Sequence, residues 1–415
     1  MSIISRLKPY LKWRYFLYLF AMVAGWPCVF SFMGWLPDWK MNYMALAVVS
    51  VITALSAGGK SVPGAIKTLV VIQLLTFLLY YVINNDSSYI TRIVLLITAF
   101  ALVSIQMQRP KTEFIDTNVS FLTIQALMGA VGFVLFFAGV LPVISTFIEF
   151  DGHKGLFYGL FTTTVSTDGL VRVAGFFDEP GAFAFWGVVA LLFNKLFVDN
   201  KKVEIALIVG LVSTLSMAFF IQMAMYFLLF YRKRRSNMFV YGIMFLMLLL
   251  VIASISPELN DAIFGRFQVN EETGRLEGDN RTAHSLVCLA IWQSSPLMGV
   301  GGNNMIAIAD RMGEFVGANP FVFLAMDGII GQIVLWLPLF YLFVLGKYRK
   351  EYRYTALILF LGFMQRPYDP TQLWYHLTIY MLLLEAYREI HLYPGMNRSD
   401  IQYTNFIPFT KKIDS

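Results

Sequence analysis

The stretch Phe121–Phe147, FLTIQALMGAVGFVLFFAGVLPVISTF, contains no charged residue. A transmembrane helix needs roughly 20 consecutive apolar residues, and this run exceeds that length. Similar runs recur along the whole chain of 415 residues, of which 58% are hydrophobic and only 14% are charged. A soluble domain carries about 25% charged residues. The composition therefore excludes a soluble enzyme, a disordered chain and a disulfide scaffold, and it predicts an all-α polytopic membrane protein.

The apolar runs predict about 12 transmembrane helices in a single transmembrane domain, 1–415. They lie near 15–36, 41–58, 65–84, 90–107, 121–147, 181–198, 203–215, 217–231, 238–255, 320–346, 355–365 and 373–387. The run 203–231 is either one long tilted helix or two short helices with a break at Ser213–Ser216, and the positions of the later clusters of Lys and Arg support the break. Two prolines within 365–370 divide the run 355–387, because proline cannot continue a helix. No small-residue cleavage site follows the basic start, so 15–36 is interpreted as an uncleaved span.

The distribution of Lys and Arg predicts the orientation of these helices. Most of the 32 cations fall in segments that this topology places on one side, as in cytoplasmic loops. Both termini are then cytoplasmic, and 388–415 is a cytoplasmic tail. The net charge of +6 reflects these loops and does not indicate nucleic-acid binding.

The opposite side is predicted to carry two large periplasmic loops, 148–180 and 256–319. Long loops are where binding and catalytic residues concentrate. The outer cations are mostly arginines, which suit bidentate binding of phosphate or carboxylate. Snorkelling at span ends is the alternative explanation for Arg92 and Arg366. The full set is Lys40, Arg92, Lys154, Arg172, Arg266, Arg275, Arg281, Arg311 and Arg366.

The segment 172–184, RVAGFFDEPGAFA, closes the first large loop. Pro180 suits the first turn of a helix, and Asp178 or Glu179 suits its cap. The start of a helix presents free N–H groups and a positive dipole, so an anion such as a diphosphate can dock there beside Arg172. The structural alternative is that Glu179 only caps the helix and Gly175 only permits a turn.

The pattern R-x-x-G-F-F-x-E-P-G-x-x-A in this segment resembles the signature of O-antigen and capsular polysaccharide polymerases of the Wzy type, within the O-antigen ligase/polymerase superfamily. Further likenesses follow in order at 294–302 (SSPLMGVGG), 319–331 (NPFVFLAMDGIIG) and 365–369 (QRPYD). The ligase branch places a His before the Asn that Asn319 matches, whereas this chain has Ala318. That difference favours a polymerase and leaves the general base unassigned.

The resemblance implies a glycosyltransferase in the bacterial inner membrane. Because arginines can stabilise a diphosphate without a metal, and the outer loops contain no D-x-D and no cluster of Asp and His, we expect it to be metal-independent and without a cofactor. Its substrate would be an undecaprenyl-diphosphate-linked oligosaccharide, moved as a block onto the next repeat unit at the periplasmic face. The lipid bilayer, a chain-length regulator and a flippase would be its partners. The alternatives are an O-antigen ligase that transfers to lipid A core and a non-catalytic flippase or exporter of lipid-linked glycans.

The candidate site residues follow from the motifs and the outer cations. Arg172 and Arg281 are expected on the diphosphate, assisted by Arg266 or Arg275. Glu179 is expected to act as general base or to orient Arg172. Sugar binding or support of the site is expected from Asp178, His284, Asn319, Arg366 and Tyr368.

Two further features belong to the second large loop and the span after it. Residues 281–292 predict an amphipathic helix whose apolar side (Ala283, Leu286, Val287, Ala290 and Ile291) faces lipid while Arg281 faces the substrate. Gly299, Gly301 and Gly302 predict a close backbone approach beside it. Asp327 lies inside an apolar span, where an acid is functional by default; a buried partner for one of the arginines is the equal alternative.

Overall fold

The computed structural model describes residues 13–25, 28–35, 39–56, 61–108, 113–148, 154–159, 162–165, 171–231, 281–314, 316–317, 319–366 and 372–392. The predicted span 238–255 lies outside these ranges. So do most of the tail 388–415 and the first part of the loop 256–319. Three candidate site residues also lie outside them: Arg266, Arg275 and Tyr368.

The described chain is mostly helical, as its composition predicts. Its first helices are α1 (Trp13–Ala24), α2 (Val29–Phe32), α3 (Trp39–Ser56), α4 (Gly64–Asn84), α5 (Ser88–Met107) and α6 (Glu113–Phe137). The middle helices are α7 (Pro180–Phe193), extended by a π-helical turn to Val198, α8 (Lys201–Val212) and α9 (Met217–Tyr231). The later helices are α10 (Arg281–Ser294), α11 (Gly302–Arg311), α12 (Val322–Leu345), α13 (Lys350–Gln365) and α14 (Leu373–Tyr387).

Five helices of the described ranges are long and apolar enough to cross a membrane: α4, α5, α6, α7 with its extension, and α12. The apolar helices Met41–Ser56 and Met217–Tyr231 are shorter. The structure is therefore compatible with a polytopic helical membrane protein. The number of 12 spans and their orientation remain predictions.

Both predicted helix breaks are present. Helix α8 ends at Val212 and α9 begins at Met217, and Leu215 between them has a positive φ of 47°. Helix α13 ends at Gln365 and α14 begins at Leu373. The run 15–36, in contrast, is not one helix, because α1 ends at Ala24 and α2 begins at Val29.

A small β-sheet corrects the purely helical prediction and the boundary of the span 121–147. Helix α6 ends at Phe137, and the rest of that apolar run enters strand β1 (Ser145–Ile148). Strands β2 (Lys154–Phe157), β3 (Thr162–Val165) and β4 (Val171–Val173) follow within the predicted loop 148–180. The four strands pair antiparallel in chain order. Helix periodicity is invisible in so uniformly apolar a run, so its sequence alone does not show where the helix stops.

Helices α7 and α14 form the centre of the bundle. All residues of α7 from Pro180 to Phe193 are buried, and so are those of α14 from Leu373 to Ala386. A helix that is apolar on all sides is expected to be surrounded by other helices. Trp186 of α7 and Trp374 of α14 meet with ring centroids 4.6 Å apart. The start of α7 is therefore held against well-packed neighbours.

Helices α10 and α11 form an outer helical unit packed on the first turns of α12. The predicted helix at 281–292 is confirmed, although its apolar residues divide between two faces. Val287 and Ile291 are buried with Cys288 against α11 and α12. Leu286 is 56% exposed, and Ala283 and Ala290 are also exposed. About half of the side that was predicted to face lipid is therefore covered by protein. The covering helix, α11, was not predicted from the sequence.

Candidate functional site

The segment 174–180 leads directly into the start of α7. Gly175 has a positive φ of 60° and Phe183 lies against its Cα, so this position needs glycine. Glu179 is the N-cap residue in an extended conformation, and Pro180 follows in the first turn. The Glu179 side chain makes no capping hydrogen bond. The prediction of a helix start is confirmed, and the Glu179 carboxylate is directed to another partner.

That partner is Arg366, at the end of α13. The Arg366 guanidinium and the Glu179 carboxylate form an ion pair in which the Arg366 side chain is 12% exposed and the Glu179 side chain 37% exposed. A Cβ atom on Gly181 would overlap the guanidinium, so Arg366 lies directly against the first turn of α7. Glycine at 181 is what makes this close approach possible.

The arrangement brings a guanidinium and the N-terminus of a helix together at one end of the bundle. The N-terminus of α7 already carries the positive end of the helix dipole, where a cation is unfavourable unless an anion accompanies it. Glu179 supplies that anion. An incoming phosphate or carboxylate would meet the same two positive features, the guanidinium and the N-terminal turn. Arg366, predicted only as a supporting residue, is therefore a central member of this site.

Arg172 lies on β4 and is anchored to the turn between α8 and α9. Its Nε donates to the Thr214 carbonyl oxygen over 3.1 Å, and the neighbouring Val173 N–H donates to the Ser213 carbonyl oxygen, also over 3.1 Å. The predicted break at 213–216 thus provides carbonyl acceptors for the strand that carries Arg172. A role for Arg172 on a diphosphate remains a prediction.

Several aromatic residues near the start of α7 are part of the core. Phe177 stacks against Phe183 with centroids 5.8 Å apart and meets Trp374 edge-on at 5.8 Å. Trp374 also donates from Nε1 to the Met22 carbonyl oxygen over 2.8 Å. Tyr375 donates to the Leu335 carbonyl oxygen over 2.6 Å. These rings fix the position of the α7 start rather than present a face to a sugar.

Asp178, next to Glu179, lies close enough to Tyr43 to act on its hydroxyl electrostatically. The Tyr43 hydroxyl is 2.7 Å from Gln372 Oε1, to which it donates. Tyr43 belongs to α3 and Gln372 precedes α14, so this hydrogen bond joins these two parts of the chain close to Asp178. A supporting role for Asp178 remains a prediction.

In the outer helical unit, His284 and Asn319 hold the loop that precedes α12. The Gly317 N–H donates to His284 Nδ1. Asn319 Nδ2 donates to the Gly317 carbonyl oxygen over 3.0 Å and to Cys288 Sγ over 3.2 Å, and its Oδ1 accepts from the Phe321 N–H over 3.0 Å. Arg281 is the first residue of α10, and its side chain lies outside the described part of the structure. Both His284 and Asn319 are therefore positioned as supports.

Helix α12 is broken at Gly328, which has a φ of 62° and a ψ of −171°. The glycine-rich turn 296–301 fills the break. The N–H groups of Val300 and Gly301 donate to the Ala325 and Met326 carbonyl oxygens over 3.0 and 2.8 Å. In return, the Ile329 and Ile330 N–H groups donate to the Pro296 and Leu297 carbonyl oxygens over 3.0 and 3.1 Å. The turn thus replaces the helical hydrogen bonds that the break removes.

The close approach predicted for the glycines of this turn is confirmed. Gly299 and Gly301 have positive φ angles of 67° and 91°. A Cβ on Gly299 would overlap the backbone at Met326, and one on Gly301 would overlap Asp86. The Asp86 carboxylate accepts from the Asn303 and Asn304 N–H groups over 2.8 and 3.2 Å, which caps α11 from the α4–α5 connection.

Asp327 lies at this break and is paired with Arg92 of α5. Arg92 Nη1 lies 2.7 Å from Asp327 Oδ2, and both residues are almost completely buried, at 3% and 2% exposure. The Tyr89 hydroxyl donates to Asp327 Oδ1 over 2.8 Å. Of the two hypotheses for Asp327, the partnership with an arginine is observed. Arg92 does not extend toward the membrane surface as a snorkelling residue would, because its guanidinium is directed into the bundle.

Among the described residues, no three His, Cys, Asp or Glu side chains are placed to hold a metal ion together. Comparison of the chain with protein-family models, curated proteins and solved structures found no match.

Proposed function

We propose that this chain is a polysaccharide polymerase that joins lipid-diphosphate-linked oligosaccharide repeat units at the outer face of the bacterial inner membrane. The observation that carries the proposal is the ion pair of Glu179 and Arg366 across the first turn of α7. A cation held at a helix N-terminus is an arrangement suited to a diphosphate. The sequence pattern around Glu179 supports the choice of a glycan substrate.

In the proposed reaction, a hydroxyl oxygen of the acceptor repeat unit attacks the anomeric carbon of the donor sugar. The bond between that carbon and the diphosphate oxygen breaks, and the lipid diphosphate leaves with the electron pair. The hydroxyl proton passes to a base, for which Glu179 is the candidate. The enzyme must stabilise the charge that develops on the diphosphate and hold the acceptor in line.

Arginines can supply that stabilisation. A hydrogen bond to a charged group contributes roughly 1.5–3 kcal/mol, and each ~1.4 kcal/mol changes a rate tenfold. We assign Arg366 to the diphosphate together with Arg172 and Arg281, and Arg266 or Arg275 as assisting residues. When a diphosphate displaces Glu179 from Arg366, the carboxylate becomes free to turn toward the acceptor and to take the proton of its hydroxyl group.

A second candidate function is a flippase or exporter of lipid-linked glycans. The buried pair of Arg92 and Asp327 at a broken helix favours it, because charged groups inside a membrane bundle commonly mark transport pathways. A ligase that transfers finished chains to lipid A core is the third candidate, and it fits the same outer arginines.

A surface-glycan gel distinguishes the three functions. In a strain that lacks the chain, loss of the polymerase leaves single repeat units on the cell surface and removes the ladder. Loss of a ligase removes all glycan from lipid A core, and loss of a flippase leaves repeat units at the cytoplasmic face. Complementation with Arg366→Ala should reproduce the single-repeat pattern. Arg311→Ala is the matched control, since Arg311 is an exposed arginine of α11 and should restore the ladder.

A further inference from the structure

The charge-free run that begins after the first turn of α6 continues beyond the end of that helix. Helix α6 has 25 residues, which is about 37 Å of helix at 1.5 Å per residue. The hydrocarbon core of a bilayer is ~30 Å thick, so α6 alone is long enough to cross it. The run nevertheless continues without a charged residue through β1 to Ile148, and Glu149 is the next charged residue. The apolar residues after Phe137 therefore need an apolar environment beyond the one that the spanning part of α6 occupies.

The side chains of this continuation are exposed. Helix α6 presents one stripe of exposed aliphatic residues at helical spacing, formed by Ile124, Leu127, Val131 and Val134. Beyond the helix end, exposure continues at Val140, Val143, Ile144 and Ile148, which we call the exposed apolar segment. Ile148 is 62% exposed. A soluble surface seldom keeps so many large aliphatic side chains together.

At strand β1 the protein covers one face of the sheet and leaves the face of Ile148 exposed, whereas at β4 the residues on that same face, Val171 and Val173, are buried. Phe147 and Phe157 on the covered face are buried against Val29, with Phe30 and Phe176 beside them. Ile148 lies on the other face, since side chains alternate along a strand. Its cross-strand partner is Lys154, which is exposed on the same face. An aliphatic residue beside a lysine is typical of a surface at lipid headgroup level, where the lysine reaches the phosphates.

We propose that the exposed apolar segment and the outer face of β1 lie in the boundary between headgroups and acyl chains, in the leaflet at this end of the bundle. The segment continues the outward stripe of α6, and lipid covers such a stripe on a membrane-spanning helix. Deeper insertion is unfavourable because β1 is an edge strand among the described strands, and edge backbone groups need water or headgroups as partners. At the boundary the aliphatic side chains are buried and the strand edge stays hydrated.

This inference does not depend on the proposed polymerase activity. The placement of the sheet does bear on that activity, because β4 of the same sheet carries Arg172. A sheet fixed at headgroup level would hold that arginine at the depth where a lipid-linked diphosphate presents its charge.

Fluorescence quenching in liposomes tests the depth of the segment. Ile148→Cys and Ile144→Cys are labelled with a polarity-sensitive fluorophore in the full chain, and the parent protein is the labelling blank, because Cys28 and Cys288 are buried. Lipids carry a nitroxide either near the headgroup or near the chain end, and iodide is the aqueous quencher. Val131→Cys in α6 serves as the deep control, and Asp310→Cys on α11 as the exposed polar control.

We expect both test labels to emit at shorter wavelength than the Asp310 label. The headgroup nitroxide should quench them more strongly than the chain-end nitroxide, and the Val131 label should show the reverse order. Quenching by iodide to the extent seen at Asp310 would overturn the proposal. Protection from all three quenchers would overturn it as well, because it would mean that a second copy or another protein covers the segment.

Discussion

Arg92 and Asp327 form an ion pair between α5 and α12, 2.7 Å apart and shielded from solvent. Asp327 immediately precedes Gly328, where α12 is broken and the turn 296–301 enters. Tyr89 supports the pair by donating one hydrogen bond to Asp327 and lying beside Arg92, whose guanidinium carbon is 4.9 Å from the Tyr89 ring centroid. One buried charge pair therefore joins α5 to α12 at the point where the turn 296–301 enters the break.

Asp327→Asn and Arg92→Met should each destabilise the protein strongly, because each leaves one buried charge without its partner. We expect a loss of about 3–5 kcal/mol for either change. The double variant Arg92→Met/Asp327→Leu removes both charges and should recover most of that loss. Unfolding of the purified chains in detergent measures the effect, with Arg311→Met as the exposed control. Equal stability of the single variants and the control would contradict a stabilising role for the pair.

Gly328→Ala should destabilise the structure more than Gly313→Ala. Both glycines have positive φ angles, 62° and 72°, so alanine is conformationally strained at either position. Such strain costs on the order of 1–3 kcal/mol. Only at Gly328 would the added Cβ also overlap the backbone of Leu297, whereas Gly313 has no atom within 4 Å. Thermal unfolding of the two variants compares them directly, and a larger loss for Gly313→Ala would contradict the inserted turn.

Gly181→Ala should disrupt the site while leaving the bundle folded. The new methyl group would occupy the space of the Arg366 guanidinium, so the side chain must leave the start of α7. Under the proposed function, the glycan ladder shortens to single repeats although the protein still accumulates in the membrane. Gly64→Ala is the matched control, because Gly64 also begins a helix and its Cβ position is open. Normal ladders from both variants would argue against a role for Arg366 in the reaction.

Cys288 should be unreactive toward maleimides in the folded protein. It is completely buried on the side of α10 that faces α11 and α12, and burial raises the pKa of its thiol above the ordinary value of 9.0, with the hydrogen bond from Asn319 opposing the rise. A raised pKa lowers the thiolate fraction at neutral pH, so labelling becomes appreciable only in alkaline solution. Asn319→Ala should loosen the loop before α12 and increase the labelling rate. The measurement is mass spectrometry after timed labelling of a Cys28→Ala chain, and fast labelling of the unaltered site would contradict this packing.

Much of the architecture follows from local sequence. Pro180 and Glu179 predict the start of α7 because a proline in the first turn loses no helical hydrogen bond. The break at 213–216 and the division between α13 and α14 are likewise visible in turn residues and prolines. The sheet between α6 and α7 was not predicted, since its short strands lie in a loop of mixed composition and in the end of a uniformly apolar run.

The candidate site was predicted in part. The motif around Glu179 predicted that the start of α7 belongs to the site, and the excess of outer arginines predicted an anionic ligand. The partnership of Glu179 with Arg366 was missed, since the two residues are far apart in the chain and Arg366 resembled an ordinary residue at a span end. The pairing of Arg92 with Asp327 was not predicted for the same reason. The position of Arg92 within the first turns of α5, facing a span that contains Asp327, is the signal that could have indicated a buried pair.

The sequence by itself determined that this protein belongs in a membrane, where its helices break and which of them begins with a positive, anion-attracting turn. These properties depend on hydropathy, proline, glycine and capping residues, which act over a few neighbouring positions. Only the tertiary structure decided which carboxylate holds which arginine, that a glycine turn fills the break in α12, and which side of α10 is covered. Those outcomes depend on which helices become neighbours, because a buried charge or an open backbone group is stabilised by whatever partner the packing brings within hydrogen-bond distance.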